Sequence, residues 1–472
     1  MAVMKPPASG LAGHRRPLVL WSAAPAEEPA PCSGARGGES IEQKVLFVLG
    51  LLWHDDLGQA EDEGHHKSRH RPRLIFSSTF TTVHRQQLVD TRGHGGNEVS
   101  IPMQVAVEHP DMSEDARLAA YSTVSTSLAL RSDHRLGELV DAAVPLGSGI
   151  GGKSALLEVD GKPVFVKRVP LTDMERLPEH VRSTANLFGL PTFCQYGVGG
   201  PGFGAWRELA VHTMTTNWVL GEQYQGFPMM YHWRVLPDTA ALPQELADVE
   251  RAVAYWGGRP EVRRRIEALQ QSSASLALFL EYIPQTLHEW FTEQVQAGEE
   301  PADRACSLVE GELEAGTSFM NARGLLHFDA HFQNILTDGR RLYFADYGLA
   351  LSSQFDLSPS ETGFFELHRT YDRCYTRSWL VNWLITALYG YERKERLALI
   401  RACAEGEDPP YGPQAARAIL SRHAPLAAVL TDFYVKMQDE SRETPYPLKA
   451  LCRALYSAGH GGSGVPRGPG RG

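Results

Sequence analysis

Gly324-Leu-Leu-His327-Phe-Asp329-Ala-His331-Phe-Gln-Asn334-Ile-Leu336, followed at loop length by Leu342-Tyr-Phe-Ala-Asp346-Tyr-Gly348, is the stretch whose reading decides the fold. It holds the patterns H-x-D-x-x-x-x-N and D-[FY]-G in that order. Short apolar runs at 334–336 and 342–345 flank the turn dipeptide Asp338-Gly339, so the segment predicts a small hairpin. Such a hairpin would hold Asn334 and Asp346 around a common point. Either pattern alone arises by chance in a long chain; both in sequence carry far more weight.

Upstream lies Gly147-Ser-Gly149-Ile-Gly151-Gly152-Lys153-Ser154, which satisfies two patterns at once. Read as G-x-G-x-x-G, with Gly147, Gly149 and Gly152 as its glycines, it resembles the flap over ATP phosphates in protein kinases. Read as G-x-x-x-x-G-K-[ST] it is a Walker A loop ending on Lys153. Both set backbone N–H groups around phosphate oxygens, an approach that side chains would block. A Walker loop opens directly into a helix. Here residues 155–159, the dipeptide Asp160-Gly161 and residues 163–166 read as strand, tight turn and strand. The hairpin favours the flap, with Lys167 ending the third strand. A lysine there would neutralise the α- and β-phosphates, held extended by a carboxylate from a nearby helix. Glu208, on a helical stretch at 205–220, is the leading partner, with Glu175 and Glu179 as alternatives. Plain surface charges at Lys167 and Glu208 are the bland reading.

Together these motifs resemble the protein-kinase-like superfamily, including its divergent bacterial members, over about residues 140–390. The resemblance implies an α+β, bilobal protein-kinase-like fold with a small β-rich N-lobe and a larger, mainly helical C-lobe. It implies ATP and Mg²⁺ as the bound species, with Asp329 as the carboxylate that orients an acceptor hydroxyl and takes its proton. Asn334 and Asp346 supply hard oxygen ligands to the metal, and His327 packs near the Asp346 turn. Residues 276–280 read as a buried strand leading to a hinge, where main-chain groups around Glu281 and Ile283 would meet adenine. A helix is expected at 286–295. Strand 229–236 precedes the hinge, and charged helices at 242–269, broken at Gly257-Gly258, form an insertion.

The departures bear on the substrate. Phe165 stands where a small residue usually lies above adenine, and Phe328 replaces the usual Arg before the catalytic Asp. No Ala-Pro-Glu follows Gly348; Ser358-Pro-Ser-Glu361 and aromatic-rich helices at 371–389 come instead. His331 gives H-x-D-x-H-x-x-N, similar to aminoglycoside and choline phosphotransferases. The expected acceptor is a protein Ser or Thr, with a small-molecule acceptor and a pseudokinase binding module as alternatives.

Composition narrows the remaining classes. The 472 residues are 43% hydrophobic and 22% charged, ordinary for a globular protein. With 46 basic against 56 acidic residues the formal charge is −10, which argues against general nucleic-acid binding. Cysteines at 32, 194, 306, 374, 403 and 452 show neither disulfide nor zinc spacing. No run reaches the ~20 apolar residues of a membrane helix, so a cytoplasmic location is expected. Residues 1–112 read as a low-complexity, poorly ordered extension with scattered histidines and one short strand at 73–82. Residues 113–283 then read as helical lead-in plus N-lobe, 284–457 as C-lobe, and 458–472 as a mobile tail. In the lead-in, helices are expected at 118–130 and 136–144.

Overall fold

The computed structural model describes residues 112–149, 152–196, 200–239 and 244–459. The expectations for residues 1–111 and for most of the tail, and the tip of the glycine hairpin at 150–151, lie outside these.

Ser113 and Ser132 each accept a backbone N–H of the following turn, and so start helices α1 (Glu114–Ala129) and α2 (Asp133–Asp141). The second helix begins earlier than the apolar spacing suggested, because Ser132 caps it, and Val144 already belongs to a strand. Five antiparallel strands follow, β1 (Val144–Gly149), β2 (Gly152–Val159), β3 (Lys162–Leu171), β4 (Met230–Pro237) and β5 (Ala274–Glu281), in the order β1-β2-β3-β5-β4. Asp160 and Gly161, at φ 49° and 73°, are the two positive-φ residues that a two-residue hairpin needs between Val159 and Lys162. Strand β3 does not end at Lys167 but runs on to Leu171, because Val169, Pro170 and Leu171 keep pairing with Leu276, Ser275 and Ala274 of β5.

The alternation of side chains along β3 divides the sheet into two buried faces. Val164 and Val166 join Val124, Leu128, Leu136 and Val140 beneath α1 and α2. Phe165 and Val169 pack with Leu276, Leu278 and Leu280 against Ala205, Trp206 and Leu209 of the next long helix. Lys167 therefore shares its face with that helix, α4 (Ala205–Leu220), which follows the single turn α3 (Asp173–Arg176). Between β4 and β5 lie α5 (Gln244–Ala247), α6 (Val249–Tyr255) and α7 (Pro260–Gln270), broken at Gly257 and Gly258, both at positive φ. They pack on Phe188, Leu190 and Phe203 in a separate small core.

Beyond the hinge the chain is mainly helical: β6 (Gln285–Thr286), α8 (Leu287–Gln296), α9 (Glu299–Ala322), β7 (Leu325–Leu326), β8 (Ile335–Thr337), β9 (Leu342–Phe344), β10 (Leu351–Ser352), α10 (Pro359–Leu367), α11 (Tyr371–Tyr389), α12 (Arg393–Ala404), α13 (Gln414–Asp439) and α14 (Leu448–Gly459). Thr286 and Glu289 form the reciprocal cap that starts α8. The aromatic segment is one helix of 19 residues, not several, and α14 carries order to Gly459, just past the expected start of the tail. Most of the largest core cluster among the described residues lies in this lobe, and it is rich in aromatic rings. The architecture is thus α+β and bilobal, a smaller sheet-bearing lobe followed by a larger helical one. No described helix is long and apolar enough to cross a membrane.

Candidate active site

The expected hairpin exists. Strands β8 and β9 pair Ile335 with Phe344, and the Ala345 N–H donates to the Asn334 carbonyl at 2.9 Å. Asn334 and Asp346 thus leave adjacent strands at the same end. On the other wall, the Lys167 ammonium reaches Glu208 Oε1 and Asp346 Oδ1, both at 2.7 Å. Asn334 Nδ2 donates to the carbonyl and to the Oδ2 of Asp329, both at 3.0 Å. Lys167 of β3, Glu208 of α4, and Asp329, Asn334 and Asp346 of the loop-hairpin are brought together from three separate segments.

Of the alternative partners for Lys167, Glu208 holds the position. Glu175 is committed elsewhere: its carboxylate takes Arg265 at 2.8 Å, the Thr172 hydroxyl at 2.7 Å and the Ala205 N–H at 2.9 Å. It thereby anchors the start of α4. Gly204 carries no side chain because a Cβ would lie 2.7 Å from that same carboxylate. Glu179 is exposed.

The Walker reading fails on the strand. Gly152 opens β2, not a helix, and Lys153 pairs with Arg168 and reaches Asp238 at 3.5 Å. Gly152 is itself required by the sheet: at φ 118°, a Cβ there would lie 2.1 Å from the Arg168 carbonyl. Lys153→Ala should therefore leave nucleotide binding within about twofold of the parent, since Lys153 is half-exposed and Asp238 keeps Arg168 at 3.1 Å; a titration with an ATP analogue checks this.

Both carboxylate turns are strained. Phe328 and Asp346 sit at φ 63° and 60°, a region costly for residues with a Cβ. At Phe328 the strain is held by Asp372 of α11, whose two oxygens accept the N–H groups of His327 at 2.6 Å and Phe328 at 2.9 Å. Asp372 escaped the sequence reading because a lone Asp in an aromatic helix carries no pattern. Its burial raises its carboxyl to about 6, against the pull of those two N–H groups. His327 Nε2–H donates to the Ala345 carbonyl, 2.9 Å away, the supporting role expected of it.

The charges are set by burial and by one another. Burial pushes Asp329 well upward and Asp346 adds to it, while Asn334 and Lys167 oppose. For Asp346 burial also pulls upward, but Lys167 overrides it and holds the carboxyl at about 2. Burial would lower Lys167; Asp346 and Glu208 reverse this and keep it protonated. The two neighbouring carboxyls are thus shifted in opposite directions.

Three buried histidines surround these groups. Burial lowers His212 to about 3 and His327 and His331 to about 4. The His212 ring meets Tyr347 edge-on at 4.8 Å, and neither of its nitrogens has a hydrogen-bond partner among the described residues. Below pH 6.5 the unfolded chain takes up protons that the folded one refuses, so stability should fall as pH drops from about 6.5 toward 4. Each such histidine contributes a slope of about 1.4 kcal/mol per pH unit. His212→Leu should flatten the curve by about one proton, read from urea midpoints across that range.

Among the described residues, no group of three or more His, Cys, Asp or Glu is arranged to hold a metal unaided. The donor set nevertheless suits Mg²⁺, which binds through one or two protein oxygens and takes the rest from phosphates and water. Asp346, 40% exposed on its side chain, is the carboxylate here most open to such a ligand, against 19% for Asp329 and 2% for Glu208. A cleft of about 630 Å³ beside Asp432, Phe433 and Lys436 includes none of these groups.

At the hinge, Glu281 and Ile283 are buried. The Glu281 N–H goes to the Met229 carbonyl at 2.8 Å. Its carboxylate is gripped by Arg117 of α1, Nε and Nη2 each at 2.8 Å, and accepts the Met229 N–H at 3.0 Å. Arg117 was not singled out in the sequence, since nothing local distinguishes it from other helix-surface arginines. Phe165 lies half-buried on the face of Lys167. Phe328 is buried against Tyr371 and Phe364, with ring centroids at 4.5 and 5.6 Å. Compared with models of known protein families, the chain matches none.

Proposed function

We propose that this chain is a protein-kinase-like phosphotransferase that moves the γ-phosphate of ATP to a hydroxyl, with a protein Ser or Thr as the acceptor. The observation that carries the reading is the Lys167 ammonium held between Glu208 and Asp346 at the mouth of a hairpin that also bears Asn334, with Asp329 alongside. Lys167 is fixed extended and charged, suited to phosphate oxygens. Asp346 and Asn334 would hold Mg²⁺, which neutralises charge on the transferring phosphate. Asp329, raised by burial, is suited to accept the hydroxyl proton as the acceptor oxygen attacks. Gly147, Gly149 and Gly152 belong to the flap, and main-chain groups near Glu281 and Ile283 to adenine recognition. All four of Lys167, Asp329, Asn334 and Asp346 are present, which disfavours a pseudokinase.

A small-molecule acceptor is the second reading, favoured by His331, whose Nε2 lies 3.8 Å from Asp329 Oδ1. The test uses γ-labelled ATP and Mg²⁺ with a general protein substrate, and in parallel with an aminoglycoside or an amino alcohol. Label on protein supports the first reading, and label only on the small molecule the second. Nucleotide binding without transfer to any acceptor would leave a binding module.

A further inference from the structure

The segment after Asp346-Tyr-Gly348 is tied to the sheet-bearing lobe by groups that the reaction itself does not use. Arg207, next to Glu208 on α4, is 2% exposed and forms a 2.7 Å ion pair between its Nη2 and Glu361 Oε1 of α10, itself 3% exposed. Arg207 Nε donates to the Thr184 carbonyl at 2.8 Å. Its guanidinium lies between the rings of Phe203 and Phe355, 5.1 and 5.5 Å from their centroids. The second oxygen of Glu361 accepts the N–H and the hydroxyl of Ser358, at 3.0 and 2.8 Å. Two further bonds run in parallel, from the Asp356 N–H to the Thr184 hydroxyl at 2.9 Å and from Gln195 to the Leu349 carbonyl.

A buried ion pair is costly to form and costly to break; this one is made by a single Nη2–Oε1 contact, and Arg207 Nη1 has no hydrogen-bond partner among the described residues. This one links the helix that carries Glu208 to the strand-to-helix segment that follows Asp346. We propose that Glu361 is a positioning residue: through Arg207 it fixes the rotation of α4, and so the placement of Glu208 on Lys167. Arg207 is thus already paired with a carboxylate of this segment, and Phe328 leaves the position before Asp329 without a cation for a phosphate. The proposal rests on the phosphotransferase reading for its effect on rate, but not for its effect on α4.

The experiment compares the full-length chain with Glu361→Gln, Arg207→Met and Arg207→Lys, by amide hydrogen exchange and by transfer kinetics. In Glu361→Gln, exchange in Ala205–Leu220 should quicken at least tenfold, while α13 keeps the rate of the parent. Its kcat should fall about tenfold and KM for Mg·ATP should rise, with KM for the acceptor unmoved. Arg207→Lys should recover part of the loss seen in Arg207→Met. Phosphatase treatment of the parent should leave its activity intact. Unchanged exchange in α4 overturns the proposal. So does equal acceleration in α4 and α13, which is ordinary destabilisation, and so does activity lost to phosphatase. A parent without any ATP-dependent transfer would refute the phosphotransferase reading, and the exchange comparison would still decide the role of Glu361.

Discussion

Asp329→Asn is expected to lower kcat by about 10²- to 10⁴-fold, the span that a positioned general base supplies, while the protein becomes no less stable. The two effects part because the site asks for an anion where folding disfavours one. Burial and the neighbouring charge of Asp346 both raise Asp329, and only Asn334 and Lys167 oppose them. An Asn of the same shape removes that penalty and still offers its carbonyl to Asn334, which now donates to Asp329 Oδ2 at 3.0 Å. The thermal midpoint should therefore stay level or rise, the usual relation between a strained site and its fold. Scanning calorimetry beside the transfer assay checks both halves. A drop in midpoint with unchanged kcat would make Asp329 a structural residue.

Arg117→Ala is expected to be the most destabilising single change in the lead-in helix, by about 3–5 kcal/mol. Its five N–H donors are all used: two on Glu281, two on the carbonyl and side chain of Gln225, and one on the Phe227 carbonyl at 2.7 Å. Removing the guanidinium strands a buried carboxylate at the hinge and uncovers two carbonyls. Tyr121, one turn along α1, touches the cores of both lobes, so the change should loosen their relation as well. Replacing Arg117 and Glu281 together by Met should cost less than the single change, because no charge is then left alone. Urea denaturation of Arg117→Met, Glu281→Met and the double variant measures this, and additive losses would show that the pair is not coupled.

The site was legible where its chemistry is written in short, ordered motifs. Asp329, Asn334 and Asp346 lie within one loop-hairpin, and the Asp160-Gly161 turn fixed which way Lys167 would face by simple alternation. Glu208 was reachable because α4 has the right length and an acidic residue in its first turn. What the sequence hid are the residues that act at a distance. Arg117, Asp372 and the Arg207–Glu361 pair join segments 44 to 164 positions apart, and no local pattern marks them. The exact start of α2 and the far end of β3 were hidden for a related reason. A serine cap and continued pairing with β5, rather than apolar spacing, set those boundaries.

The most direct measurement is calorimetric titration of the full-length chain with a non-hydrolysable ATP analogue, with and without Mg²⁺, for the parent, Lys167→Met, Asp346→Ala and Lys153→Ala. Mg²⁺-dependent binding is expected in the parent and in Lys153→Ala. At least tenfold weaker binding is expected in Lys167→Met, and loss of the Mg²⁺ dependence in Asp346→Ala. Tight binding to Lys167→Met, with binding abolished only in Lys153→Ala, would contradict the placement of the triphosphate on Lys167.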